Sequence, residues 1–272
     1  LLAPMPFFPD HTMYAAVLAV LLFYAMIFDE KDSANHLRIW NKSWFKTPAM
    51  IFLGVALLIS TCRAAQLSVG LSALIFAGCY LKGNWRWIIR GIFVLGLCSF
   101  PLASKKISRS LHQDVSSMER LNRWECSKKM LALRPWTGFG PGTFPFQYLP
   151  FQQPENMTRI SLRMPVSERG PDTYGRGGSA HSEYWQAAAE QGWPGLLLWI
   201  LLVAGALGAG LRRILYSPER SEQRIALVIT LGLFTFFTHA LVNNFLHDGR
   251  IAALVWGGMF FLLKKPAAKS SP

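Results

Sequence analysis

Apolar runs of about 13 to 22 residues recur along this chain, and a soluble globular fold does not accommodate so many of them. They cover 12–28, 48–61, 64–81, 88–103, 196–211, 225–246 and 251–263. Runs of this kind read as transmembrane helices, because a bilayer forces each backbone amide and carbonyl to find its partner within the segment. The run 48–61 is short for a hydrocarbon core, and flanking side chains extend it by snorkelling. Composition agrees, with 51% hydrophobic and only 16% charged residues. The expected fold is all-α: a polytopic transmembrane helix bundle with one long outward loop containing short helices.

Short-loop charges orient that bundle. Lys31, Arg38, Lys42 and Lys46 share a side with Lys82, Arg86 and Arg90, with Arg212, Arg213, Arg220 and Arg224, and with Lys264, Lys265 and Lys269. The positive-inside rule makes this side cytoplasmic, which leaves Arg63, the long loop and the turn 247–250 outside. The expected organisation is 1–103 with four spans, 104–194 as the loop with interfacial helices, and 195–272 with three spans and a cytoplasmic tail. The chain opens Leu-Leu-Ala-Pro with no basic leader, so it reads as a fragment whose N-terminal spans are missing. Its formal charge of +13 invites a nucleic-acid partner, but orientation alone supplies Lys and Arg, and no nucleic-acid motif accompanies them. No CxxC and no disulfide framework is present.

Inside the loop, Ser116 with Glu119 makes a capping-box signature ahead of a helix carrying Leu121, Trp124 and Leu131. Pro135 ends that helix by Arg134. The following TGFGPGTF demands irregular backbone at Gly138, Gly140 and Gly142, and reads as a structural turn because Pro141 has no amide hydrogen to offer a phosphate. Residues 152–178, rich in Arg, Pro and Gly, read as a lid or binding loop in which Arg159, Arg163, Arg169 and Arg176 attract anions or simply keep the segment soluble.

The chemistry concentrates in AHSEYWQAAAEQGWPG, residues 180–195. With Ser179 as N-cap, His181 falls in the first helical turn, where the positive helix end favours neutral imidazole and hence a general base. A hydrogen bond to a loop carbonyl is its plainer use. Glu190 lies nine residues on and need not share a face with His181, so it reads as a helix-end carboxylate held by a loop arginine or as a supporting residue of the site, with Tyr184 and Glu183 as weaker candidates. Arg63, at an outward span end, is either a snorkelling anchor or a ligand for lipid phosphate. Arg120 and Arg123, a turn apart beside Trp124, suit a phosphate or a sugar face, or else a solvated helix face. His239, Asn243 and His247 recur at spacings of four on one expected helical face, without a ligand pattern that supports a metal. No metal and no cofactor is expected.

The ordered set STCRAA, RLNRWECSKKMLALRPWTGFGPGTF, AHSEYWQAAAEQGWPGLLLW and LVNNF resembles the O-antigen ligase and O-antigen polymerase family of the bacterial inner membrane, from about Ser60 to Leu263. That resemblance implies a metal-independent glycosyltransferase with a periplasmic active site. Its donor would be an undecaprenyl diphosphate-linked glycan, its acceptor lipid A core or another glycan, and its surroundings membrane lipids. The family's loop histidine falls on His181, its span-end arginine on Arg63, and its arginine before a tryptophan on Arg123 with Arg120 nearby. His181 would then take a proton from the acceptor while the arginines bind the diphosphate. A ligase is favoured; a polymerase or a non-enzymatic polysaccharide exporter or transporter are the alternatives.

Overall fold

The computed structural model describes residues 10–27, 43–80, 114–157 and 178–264. Among these, every regular element is helical. The basic turn 82–90, the run 88–103 and the lid arginines Arg159, Arg163, Arg169 and Arg176 lie outside the described residues.

The main helices are α1 (His11–Tyr24), α2 (Ser43–Ile59), α3 (Arg63–Tyr80), α4 (Val115–Leu133), a single turn α5 (Phe144–Gln147), α6 (Glu183–Tyr216), α7 (Arg220–His239) and α8 (Gly249–Leu263). The starts of α1, α4 and α8 are set by carboxylate caps. Asp10 accepts from the Thr12 amide at 2.8 Å, and Asp248 from the Arg250 amide at 2.9 Å. At α4 the cap is Asp114, which accepts from the Ser117 amide at 3.3 Å and its hydroxyl at 2.8 Å. The capping box expected of Ser116 and Glu119 therefore does not form, because Asp114 takes the terminus and Glu119 turns inward. Arg134 closes α4 ahead of Pro135, as the sequence predicts.

Helix α6 extends beyond the run 196–211 at both ends, to 34 residues, and leaves helical geometry only at Gly192 (φ 69°, ψ −163°). Pro194 is harmless there, since it lies in the first turn after the break, where its missing N–H has no partner to lose. From Trp193 to Tyr216 the helix is about 36 Å long at 1.5 Å per residue. Among the described residues it is the one helix long and apolar enough to cross a membrane by length and composition, with shorter apolar helices at His11–Tyr24, Thr47–Ile59, Arg63–Gly78 and Gly249–Leu263. Helix α7 stops at His239 rather than running to 246; Ala240–Val242 form a turn and Asn243–Phe245 are non-helical. His239, Asn243 and His247 thus do not share a helical face.

The chain divides into two compact units, one of residues 1–73, 202–239 and 245–272, the other of 74–201 and 240–244. In the first, α1 packs against α2, α7 and α8. Its Ala15, Leu18 and Ala19 form a core with Leu57, Cys62 and Ala65. Tyr24 lies against Gly232 and Gly258, where an added Cβ would stand 2.5 and 2.2 Å from the tyrosine. Large apolar side chains such as Phe52, Leu58, Ile59, Leu67 and Phe260 point outward, an exposed apolar surface of the kind that marks a protein or membrane contact.

In the second unit, α4 and α5 enclose Cys126, Met130, Phe144, Tyr148, Ala180 and Ala189, with Phe139, Leu149, Phe151 and Trp185 around them. Phe144 and Tyr148 stack at 5.2 Å between ring centroids. This core seats the loop that carries His181.

Candidate functional site

Helix α4 fixes that loop with two side chains. Arg123, 3% exposed, donates from Nε to Glu119 Oε1 at 2.9 Å and from Nη1 to the Ser179 carbonyl at 2.9 Å. Its guanidinium also lies 4.7 Å from the Tyr148 ring centroid. From the next position along α4, Trp124 Nε1 donates to the His181 carbonyl at 3.4 Å. Both carbonyls flanking Ala180 are therefore held from α4.

The intervening amide is held from the other side. Ala180 N donates to Gln186 Oε1 at 2.8 Å, and Gln186 Nε2 donates to Glu190 Oε1 at 2.5 Å. Glu190 in turn accepts from the Gly142 amide at 3.0 Å and the Phe144 amide at 3.1 Å. A continuous hydrogen-bonded line thus runs from the glycine turn through Glu190 and Gln186 to the residue before His181. The glycine turn does cradle an anion, and the anion is the protein's own carboxylate. Loop amides hold Glu190, rather than the loop arginine that the sequence suggested. Gln186 is the residue the sequence reading missed. Its signal was the i, i+4 spacing to Glu190 on one helix.

The main chain reinforces this docking. Gly140 N donates to the Glu190 carbonyl at 2.8 Å, Phe139 N to Ala189 O at 3.1 Å, and Trp193 N to Pro135 O at 2.7 Å.

His181 itself differs from the expected placement. The helix begins at Glu183, with the Ser182 hydroxyl accepting from the Trp185 amide at 3.4 Å, so Ser182 is the cap. Ser179 instead accepts from the His181 amide at 3.4 Å. His181 sits just ahead of the helix with φ +50°, in the left-handed region. Among the described residues the other non-glycine with positive φ is Thr61, at +53°, immediately before Cys62 and Arg63. Both strained positions fall in segments singled out by their chemistry, as strain at functional residues does.

Burial first, then the charges of Arg123 and Arg120, pulls the His181 imidazole down to about 3 from its ordinary 6.5. It is neutral throughout the physiological range. The sign is definite: an unfolded chain takes up a proton near pH 6.5 that the folded site refuses until about 3, so His181 contributes stability present above 6.5 and lost as pH falls toward 3. Acid melting curves of a His181→Asn variant are expected to be flatter across that window than those of the parent. An equal slope would contradict the burial.

Arg120, half-buried, donates from Nε to the Val242 carbonyl at 3.0 Å and from Nη1 to Ser116 Oγ at 2.9 Å. The same 240–244 turn receives the Glu183 amide on Ala240 O at 3.0 Å. Asn243 of this turn is 4% exposed, and its Nδ2 has no hydrogen-bond partner among the described residues. Tyr184 packs its ring against Trp199 at 6.1 Å, with its hydroxyl pKa raised by burial and then by Glu183.

In the other unit, Arg63 is exposed at the first residue of α3, and no carboxylate pairs with it among the described residues. The turn before it is tied down by Ser60 Oγ, which donates to Leu57 O at 2.6 Å, and by Cys62 Sγ, 3.7 Å from His239 Nε2. Among the described residues, no three His, Cys, Asp or Glu side chains gather in a way that could hold a metal.

Comparison with curated proteins gives no match. A family model described as O-antigen ligase matches residues 48–200, more than half of the 272, and takes in Arg63, α4, the glycine turn and His181. The chain belongs to the O-antigen ligase family.

Proposed function

We propose that this protein is a multi-spanning glycosyltransferase of the bacterial inner membrane, moving a glycan from an undecaprenyl diphosphate carrier to an acceptor hydroxyl at the periplasmic face. The observation that carries the reading is a neutral His181, strained, held on both sides and next to cationic side chains. A neutral imidazole has a lone pair free to take the hydroxyl proton, a diphosphate bound beside the arginines would offset their charge and raise its basicity, and those cations favour a diphosphate leaving group.

In the proposed reaction His181 takes the acceptor proton as the hydroxyl oxygen attacks the anomeric carbon. The bond from that carbon to the diphosphate oxygen breaks, and the carrier departs as undecaprenyl diphosphate with inversion. Arg63 is assigned to the diphosphate on its exposure and on having no carboxylate partner among the described residues, with Arg120 in support. Arg123, committed to Glu119, Ser179 and Tyr148, is assigned to positioning the His181 loop rather than to phosphate contact.

Helices α1, α2, α3, α6, α7 and α8, with the run 88–103, are the proposed spans. The apolar outward faces of α2, α3, α6 and α8 and the clustering of Lys and Arg on alternate connections support that topology. A ligase acting on lipid A core is preferred, in line with the family description. A polymerase would run the same chemistry on a glycan acceptor.

The test is transfer by the purified chain in liposomes supplied with the lipid-linked glycan and, separately, lipid A core or a glycan repeat as acceptor. Transfer is expected, and an Arg63→Ala variant should fall by about 10²-fold, with lysine recovering part. No transfer to either acceptor by a folded chain would overturn the reading.

A further inference from the structure

Beside the site, α4 ends in an apolar tip that the proposed chemistry does not use. Leu133 is 64% exposed and Trp136 74%, yet Pro135 between them is bound to the start of the long apolar helix. Trp193 N donates to Pro135 O at 2.7 Å, and the backbone at Gly192 approaches so closely that an added Cβ would stand 2.5 Å from the same oxygen. Trp193 is itself 45% exposed, followed by Leu197 at 54% and Leu198 at 66%. One apolar surface therefore runs from the α4 tip onto the outward face of α6.

We infer that the Leu133–Trp136 tip of α4 docks into the outer interface of the bilayer, as a second membrane contact beside the α6 span. The inference rests on α6 crossing the membrane, as proposed above. Its continuity with that face names the occupant. Leu196 begins the unbroken apolar run about 4.5 Å beyond Trp193 along the helix, which puts Trp193 at headgroup depth. The backbone bond to Pro135 holds Trp136 beside it. Tryptophan favours that depth because its ring is apolar and its N–H still needs a polar partner. Arg134, exposed with its guanidinium 4.7 Å from the Phe139 ring centroid, supplies the cation that suits a lipid phosphate. Because α4 also carries Arg123 and Trp124, docking its tip would tie the residues that hold His181 to the membrane surface.

The experiment uses the full chain labelled with 5-fluorotryptophan in nanodiscs of phosphatidylethanolamine and phosphatidylglycerol, read by fluorine NMR. Trp136→Phe and Trp256→Phe assign the two resonances, Trp256 lying 45% exposed on α8. Doxyl-labelled lipid is expected to broaden both, and a water-soluble gadolinium chelate to broaden neither strongly. If Trp256 responds to the lipid label while Trp136 responds only to the chelate, the tip is solvated and the inference falls alone. Should neither respond to the lipid label, the membrane reading falls and the inference with it.

Discussion

His181→Asn is expected to lower glycan transfer by about 10²- to 10⁴-fold while leaving thermal stability within about 1 kcal/mol of the parent. Asparagine is the informative replacement because it tolerates the left-handed backbone that His181 adopts at φ +50°. It also preserves the carbonyl that Trp124 holds and the amide that Ser179 holds, so the loop keeps its anchors. What it lacks is a basic nitrogen. Alanine at the same position would combine that loss with about 1–2 kcal/mol of backbone strain, and would mix two causes. A second readout separates base catalysis from mere shape. With the imidazole held near 3, the parent should show no acid limb from His181 between pH 8 and 5, so a rate falling through an apparent pKa near 6.5 would place the titrating group elsewhere. An Asn variant that still transfers glycan at the parental rate would remove His181 from the reaction.

How far such a site can be read from the chain depends on the range of the interactions that make it. Local signals carried well: Pro135 ends α4 at Arg134. Signals with two local solutions did not. Asp114 and Ser116 both suit a cap, as do Ser179 and Ser182, and the choice is made by what each helix packs against. The end of α7 had no glycine or proline to mark it. It is set by the 240–244 turn, whose Ala240 and Val242 carbonyls accept from Glu183 N and Arg120 Nε. The role of Glu190 was the least legible, since its partners Gly142 and Phe144 lie 48 and 46 positions away. Nine residues from His181, it is poorly placed to pair with the imidazole directly; through Gln186 it reaches the amide just before it. Arg123 shows the opposite case. Its spacing from Arg120 suggested a shared phosphate grip, whereas a carboxylate one turn earlier, Glu119, draws it into the core.

The same geometry makes Gly138→Ala the most damaging single-methyl change in the described part of the chain. Gly138 has φ +61°, and an added Cβ would stand 2.3 Å from the Glu190 carbonyl carbon and 2.4 Å from Gln191 N. Those are backbone atoms of α6, which cannot rotate aside as a flexible side chain would. The turn must lift away, and with it go the bonds from Phe139 N to Ala189 O and from Gly140 N to Glu190 O, and the two amides on the Glu190 carboxylate. Left-handed strain of about 1–2 kcal/mol adds to buried groups left without partners at about 1–3 kcal/mol each. A loss of about 3–5 kcal/mol is expected, a large share of an ordinary protein's margin. Gly54→Ala in α2 is the control: an added Cβ there meets nothing within 4 Å, and alanine should be neutral or stabilise by about 0.5–1 kcal/mol. Glu190→Gln should fall between, because it keeps the shape but offers an amide where two N–H groups need an acceptor. Melting of the three variants in detergent, with proteolysis of the loop as a local readout, orders them as Gly54→Ala, Glu190→Gln, Gly138→Ala. If Gly138→Ala melted with the parent, the turn would not be docked on α6, and the line of hydrogen bonds from Glu190 to the His181 loop would lose its anchor.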